Sequence, residues 1–213
     1  MNLILIGPPG SGKGTQAKYL VDKFNYFQLS TGDLLREEIK NNTELGSNIS
    51  KIINKGNFVT DEIVNSLLKK VIAVNENRNK IIFDGYPRNL SQAQNLDKIL
   101  EDDNQSIGSI IFLNVKKDSL SKRITGRYVC EKCNLTLNKF TNQEEFKIHI
   151  CDKKYLVKRS DDNSEVLLKR YDTYMEQTLP VLDYYSSRPN FNEIDGSLKI
   201  DEIISKIREI LNV

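Results

Sequence analysis

The apolar positions change period repeatedly along the chain, and each change marks an element. Asn2–Ile6 is a run of leucine and isoleucine closed by a glycine-rich turn, the pattern of a strand buried on both faces. Ala17, Leu20, Val21 and Phe24 recur at helical spacing, which predicts a helix over Gly14–Phe24. Phe27–Ser30 reads as a second, weaker strand. Thr31–Lys40 reads as a helix, with Leu34, Leu35 and Ile39 apolar. Asn41–Asn57 is polar apart from Ile49, Ile52 and Ile53, which are again helically spaced. Thr60-Asp61-Glu62 caps a helix through Val64, Leu67, Leu68, Val71 and Ile72.

Lys80–Phe83 is a strand that stops at Asp84-Gly85, Leu90–Leu100 a helix, and Ile107–Val115 another apolar strand. Asp118–Ile124 opens a helix that ends near Gly126. From Tyr128 to Lys158 periodicity fades while Lys, Asn and Cys accumulate, which predicts an irregular inserted subdomain. Ser164–Leu182 reads as one long amphipathic helix, Asn192–Ile194 as a short strand and Ile200–Leu211 as a closing helix. Strands alternating with helices imply an α/β fold of three layers, a central parallel sheet covered on both faces.

Composition narrows the classes. At 213 residues, 38% apolar and 28% charged, the chain suits one folded domain with room for inserted subdomains. Its 31 basic and 29 acidic residues leave a net charge of +2, which argues against a general nucleic-acid binder. No signal-peptide pattern opens the chain, and Leu3–Ile6 and Ile110–Leu113 are far too short to cross a bilayer. An odd count of 3 cysteines does not make a disulfide framework, so a reducing, cytoplasmic setting is expected.

The chemistry begins after the first strand. Gly7-Pro8-Pro9-Gly10-Ser11-Gly12-Lys13-Gly14-Thr15 joins that strand to the first helix, the context a phosphate-binding P-loop requires. Glycines let backbone N–H groups converge on phosphate oxygens, the helix N-terminus favours anions, and Lys13 brings a mobile cation. The hydroxyl comes at Thr15, one step later than in many such loops, because Gly14 follows Lys13. Asp84 lies at the C-terminal end of its strand, where a carboxylate can hold magnesium or its waters; Thr15 is the other residue assigned to that ion. Arg88 follows the rigid Pro87, and a fixed guanidinium suits bidentate phosphate binding.

These residues resemble those of the adenylate kinases, in particular the long-lid bacterial type. The matching motifs run nearly end to end: Gly7–Gln16, Ser30–Arg36, Phe83–Asn89 with Gln92, Gly126-Arg127, Arg159–Asp162 and Arg170. The resemblance implies a P-loop NTPase fold and Mg²⁺-dependent reversible transfer from ATP to AMP, giving ADP. It implies an AMP-binding subdomain over residues 30–59 and a lid over residues 126–162, within a single domain spanning 1–213. Gly10, Ser11, Gly12, Lys13, Gly14 and Thr15 would bind ATP phosphates, with Arg123, Arg127, Thr136 and Leu137 also on the ATP side. Thr31, Arg36, Asn57, Phe58, Val59, Gly85, Tyr86, Pro87, Arg88 and Gln92 would form the AMP site. Arg159 and Arg170 would close over the phosphates. Lys13, Arg88, Arg123, Arg127, Arg159 and Arg170 would carry catalysis as positive charges, with no nucleophile and no obligatory base. A monomer is expected, with no nucleic-acid or membrane partner. UMP or CMP is the nearest alternative acceptor, and a zinc-ribbon binding module without turnover a more distant one. No Asn-Lys-x-Asp guanine signature supports a GTPase.

Cys130-Glu131-Lys132-Cys133 and the later Cys151 are spaced for a small zinc-stapled loop. Family members with a lid zinc hold it by CxxC followed by CxxC or CxxD, whereas here Lys154 stands at the last of those positions. A structural zinc therefore needs His149, the first choice, or Asp152 as fourth ligand. The plain alternative is a lid held by packing alone.

Overall fold

A computed structural model describes residues 1–74, 76 and 78–213. Five strands form a parallel sheet in the order β2-β3-β1-β4-β8: β1 Asn2–Ile6, β2 Phe27–Ser30, β3 Ile81–Asp84, β4 Ile107–Asn114 and β8 Phe191–Asp195. Side chains alternate across each strand, and both faces are apolar because both are covered. Ile4, Ile6, Ile81, Phe83, Ile110 and Phe112 belong to one core. That core meets α2 (Thr31–Lys40), α3 (Glu44–Ile53), α4 (Asp61–Val74), α5 (Leu90–Asp102) and α9 (Leu179–Ser186). Leu3, Leu5, Ile82, Ile111 and Leu113 face the other way, toward α1 (Lys13–Phe24) and α10 (Ile200–Leu211).

Two segments differ from the sequence expectation. Residues 128–158 are not irregular: β5 Arg127–Cys130 pairs antiparallel with β6 Thr136–Asn138 and β7 Leu156–Val157, with the short helix α7 Gln143–Lys147 between them. Strands of two to four residues carry too little alternation to be seen as periodicity. The helix expected over Ser164–Leu182 is α8 Ser164–Thr173, a π-helical turn Tyr174–Thr178, then α9. Pro180 stands in the first turn of α9, where its missing N–H breaks the regular ladder. Within the polar 41–57 stretch, Thr43 caps α3 by accepting from the Gly46 N–H at 2.9 Å. The remaining helix α6 is Lys117–Thr125.

Candidate active site

β1 and β3 are adjacent and parallel, so the loops leaving their C-terminal ends share one edge of the sheet, where α/β folds bind ligands. Residues 7–12 leave β1 and start α1. Gly12 is the N-cap of α1 with φ 101°, and Gly10 has φ 82°. Both lie in the left-handed region that glycine tolerates best. A Cβ at Gly10 would also fall 2.8 Å from the Ile124 side chain, so the loop packs directly on α6. Lys13 folds back over this loop, its Nζ donating to the Gly7 carbonyl at 2.7 Å, the Pro8 carbonyl at 3.1 Å and Ser11 Oγ at 3.3 Å. Burial lowers its pKa to about 8, opposed by Asp84 and assisted by Arg88, Arg170 and Arg127. A cation held this way is made more favourable by an arriving phosphate.

Asp84 ends β3. Its Oδ2 accepts from Gln28 Nε2 at 2.9 Å and lies 3.6 Å from where a Cβ on Gly14 would sit. The carboxylate is therefore beside the start of α1, near Thr15. One hydroxyl, one carboxylate and room for phosphate oxygens are donors that suit Mg²⁺ coordinated largely through water.

The arginines converge from four parts of the chain. Arg88 Nε donates to the Gly85 carbonyl at 2.7 Å, Nη2 reaches Thr31 Oγ1 at 3.4 Å, and the guanidinium stacks 4.8 Å from the Phe58 ring centre. Arg36 pairs with Asp33 at 2.5 Å, and Arg159 approaches the same carboxylate oxygen at 3.7 Å. Arg170 pairs with Asp161 at 2.6 Å. Arg127 forms a bidentate pair with Asp162, its Nε donating at 2.8 Å. Burial pushes Arg88 and Arg159 each down to about 10, with Arg170 the next cause at Arg88 and Arg127 at Arg159. Arg170 is lowered too, first by burial. Cations crowded enough to perturb one another are arranged for a polyanion. Asp33, Asp161 and Asp162 are functional neighbours that the motifs do not single out; Asp161 and Asp162 are buried, and the acidic pair next to Arg159 is the one signal of them in the sequence.

The other expected positions divide. Thr31, Phe58, Val59, Gly85, Arg88 and Gln92 line one narrow cleft. Tyr86 turns into the core instead, its hydroxyl donating to Asn65 Oδ1 at 2.9 Å, so this position offers the cleft only its backbone. Pro87 is buried and Asn57 exposed. Arg123 lies apart from the arginine cluster, its Nη1 donating to the Ser11 carbonyl at 3.2 Å. Thr136 and Leu137 lie on β6, with the Leu137 side chain buried.

Farther out, the Cys130, Cys133 and Cys151 sulfurs and a His149 ring nitrogen lie within 4.8 Å of one another. The Cys133 Sγ is 4.0 Å from His149 Nε2. Zn–S bonds of about 2.3 Å in a tetrahedron place ligand atoms somewhat under 4 Å apart, so this Cys₃His set fits a closed site after slight contraction. His149, not Asp152, is the fourth member. Burial opposes charge on Cys130, yet N–H groups of Cys133 and Lys132 and the His149 side chain bring its thiol down to about 6.

The sequence model of the adenylate kinase family matches residues 5–190. The chain belongs to the adenylate kinase family. An adenylate kinase of Pelagibacter ubique is 57% identical over 213 residues, the whole of both chains. One from Mycoplasma capricolum is 42% identical over 216 residues, again covering both chains completely. A third, from Caldanaerobacter subterraneus, is 38% identical over 99% of this chain and 96% of its own. Lys13 of the P-loop is close enough to Arg88, Arg170 and Arg127 for their charges to act on it, so the loop, the arginines and the cleft beside Arg88 form one region.

Proposed function

We propose that this cleft carries out the adenylate kinase reaction, ATP + AMP giving 2 ADP with Mg²⁺, and that the residues divide as follows. Residues 10–15 cradle the ATP phosphates, Lys13 follows the transferring group, and Thr15 and Asp84 hold the magnesium waters; Mg²⁺ supplies charge neutralisation on the donor phosphates. Arg123, Arg127, Thr136 and Leu137 serve the ATP side. Arg36 and Arg88 hold the AMP phosphate, Arg159 and Arg170 approach from the lid, and the cleft from Thr31 to Gln92 takes the nucleoside, flanked by 57 and by the backbone at 86 and 87. Such transfer needs in-line positioning and charge more than covalent chemistry, which is what these six arginines and Lys13 provide.

The observation that carries this reading is the convergence of Arg36, Arg88, Arg127, Arg159 and Arg170 beside a P-loop, with burial first and mutual charge second lowering Arg88 and Arg159. Residues 30–59 act as the AMP subdomain and 126–162 as a lid that excludes water, since exposed ATP would be hydrolysed. Contacts between Ser160 Oγ and Asn54 Oδ1 at 3.0 Å, and between Arg159 and Asp33, support that the two act together. The Cys₃His cluster holds a structural zinc that closes the outer end of the lid. Three cysteines gathered as metal ligands and not paired as disulfides support a cytoplasmic enzyme, and the protein acts as a monomer. No helix of the described residues is long and apolar enough to cross a membrane.

A coupled assay offering ATP with AMP, GMP, UMP or CMP in turn tests the reaction. ADP should form rapidly with AMP; transfer to UMP or CMP alone, or hydrolysis without any acceptor, would overturn it.

A further inference from the structure

The acceptor cleft has apolar walls in Leu35, Phe58, Val59 and Val64, and few polar groups that a base could meet. Thr31 is occupied, its Oγ1 donating to the Gly85 carbonyl at 2.8 Å. Apart from Arg88, whose charge serves the phosphate, Gln92 is the other, 2% exposed. Its amide has two N–H groups and two lone pairs. Nε2 donates to Asp61 Oδ1 at 2.7 Å, and Oε1 accepts from the Arg88 backbone N–H at 2.7 Å. A carboxylate can only accept and a backbone N–H can only donate, so the direction of this amide is fixed by its two neighbours. One N–H and one lone pair remain.

Asp61 is itself held. Asn89 Nδ2 donates to both of its oxygens, at 3.0 and 3.2 Å, while Asn89 Oδ1 accepts from the Gln92 N–H at 2.8 Å as the N-cap of α5. The start of α4 and the residues that open α5 thus hold one amide from two sides, with Asn89 fixing the carboxylate behind it.

We propose that Asp61, acting through Gln92, selects a 6-amino purine monophosphate over its 6-oxo counterpart. The remaining lone pair and N–H match the amino group and ring nitrogen of adenine. Guanine presents the reverse, an acceptor at O6 and a donor at N1. To meet it the amide must turn over, setting Nε2 against the Arg88 N–H and Oε1 against the Asp61 carboxylate. Two buried polar groups then face like groups, the arrangement by which enzymes reject a substrate of nearly equal shape. Asp61 touches no substrate in this scheme; it is a positioning residue. The inference rests on the reading of this cleft as the acceptor site.

The test is the ratio of kcat/KM for AMP to that for GMP, measured with ATP in the wild type, Asp61→Asn, Asp61→Glu and Asn89→Ser. Asn at 61 can donate to Gln92 Oε1 and removes half of the block, so the ratio should fall about tenfold. Glu at 61 still only accepts and should keep the ratio. Ser at 89 still caps α5 but loses its N–H groups to Asp61, so the ratio should fall in the same direction, which covers the case of an unfolded Asp61→Asn. Equal loss with both monophosphates, or the same ratio in Asp61→Asn and Asp61→Glu, would overturn the inference and leave the reaction standing. A wild type inactive with AMP would instead remove the acceptor-site reading on which it depends.

Discussion

Arg88 is held by backbone and ring, through the Gly85 carbonyl and the face of Phe58, whereas Arg36, Arg127 and Arg170 each have a carboxylate partner. A guanidinium oriented without a neutralising acid keeps its charge for a ligand. Replacing Arg88 by Ala should therefore lower kcat by ~10³-fold, the scale on which arginines act in phosphoryl transfer. Steady-state rates with saturating ATP and AMP read this directly, and near-normal turnover would remove Arg88 from the reacting phosphate. At this scale the sequence was most informative where neighbours are adjacent in the chain. Gly10, Gly12 and Lys13 announce themselves because a loop that wraps an anion needs left-handed glycines and a cation within a few residues. Asp33 and Asp61 announced nothing comparable, and Asp161 and Asp162 only their place beside Arg159, because an acid that orients another side chain looks in sequence like any solvated carboxylate.

At the scale of elements, α2 and α3 meet through a residue with no side chain. A Cβ on Gly46 would fall 2.3 Å from the Glu38 carbonyl oxygen, backbone that cannot swing aside. Gly46→Ala should thus cost about 1–3 kcal/mol through overpacking, although alanine is the better helix former. Chemical denaturation with activity measured in parallel would show it; an unchanged or raised midpoint would mean that the helices separate at no cost. The periodic strands and helices were legible because their spacing reports which face is buried. The three-stranded sheet of residues 127–157 was not, since β7 has only Leu156 and Val157 and pairing with β5 supplies what its own pattern lacks. The π-helical turn has a similar origin. Pro180 marks a disturbance, but only the fold shows its use, with Thr178 Oγ1 donating to the Arg88 carbonyl at 2.8 Å.

For the whole molecule, the proposed lid lies outside both sheet cores, and the chain enters and leaves it at residues 126–127 and 158–163. A lid this small buries little apolar surface, and Ile148 and Ile150 are left 72% and 97% exposed beside His149. A metal would supply the missing stability directly. Protein purified without chelator or added zinc should contain one zinc per chain, and Cys133→Ser should lose it and lower the melting temperature. Cys133 is exposed, so without a metal this exchange should be nearly neutral. Substoichiometric zinc, or a variant that melts like the wild type, would leave the lid to packing alone. Motif order carried the family and the P-loop, since those contacts form between residues close in the chain, and it named the arginines by resemblance. Apart from the i,i+3 pair of Asp33 with Arg36 within α2, which acid each arginine meets was decided only by the fold. Asp33 meets Arg159 only because the segment between β7 and α8 returns against α2, and Asp61 meets Gln92 only because α4 and α5 begin side by side. No local pattern encodes such pairs, because their geometry exists only after the strands have taken the order β2-β3-β1-β4-β8.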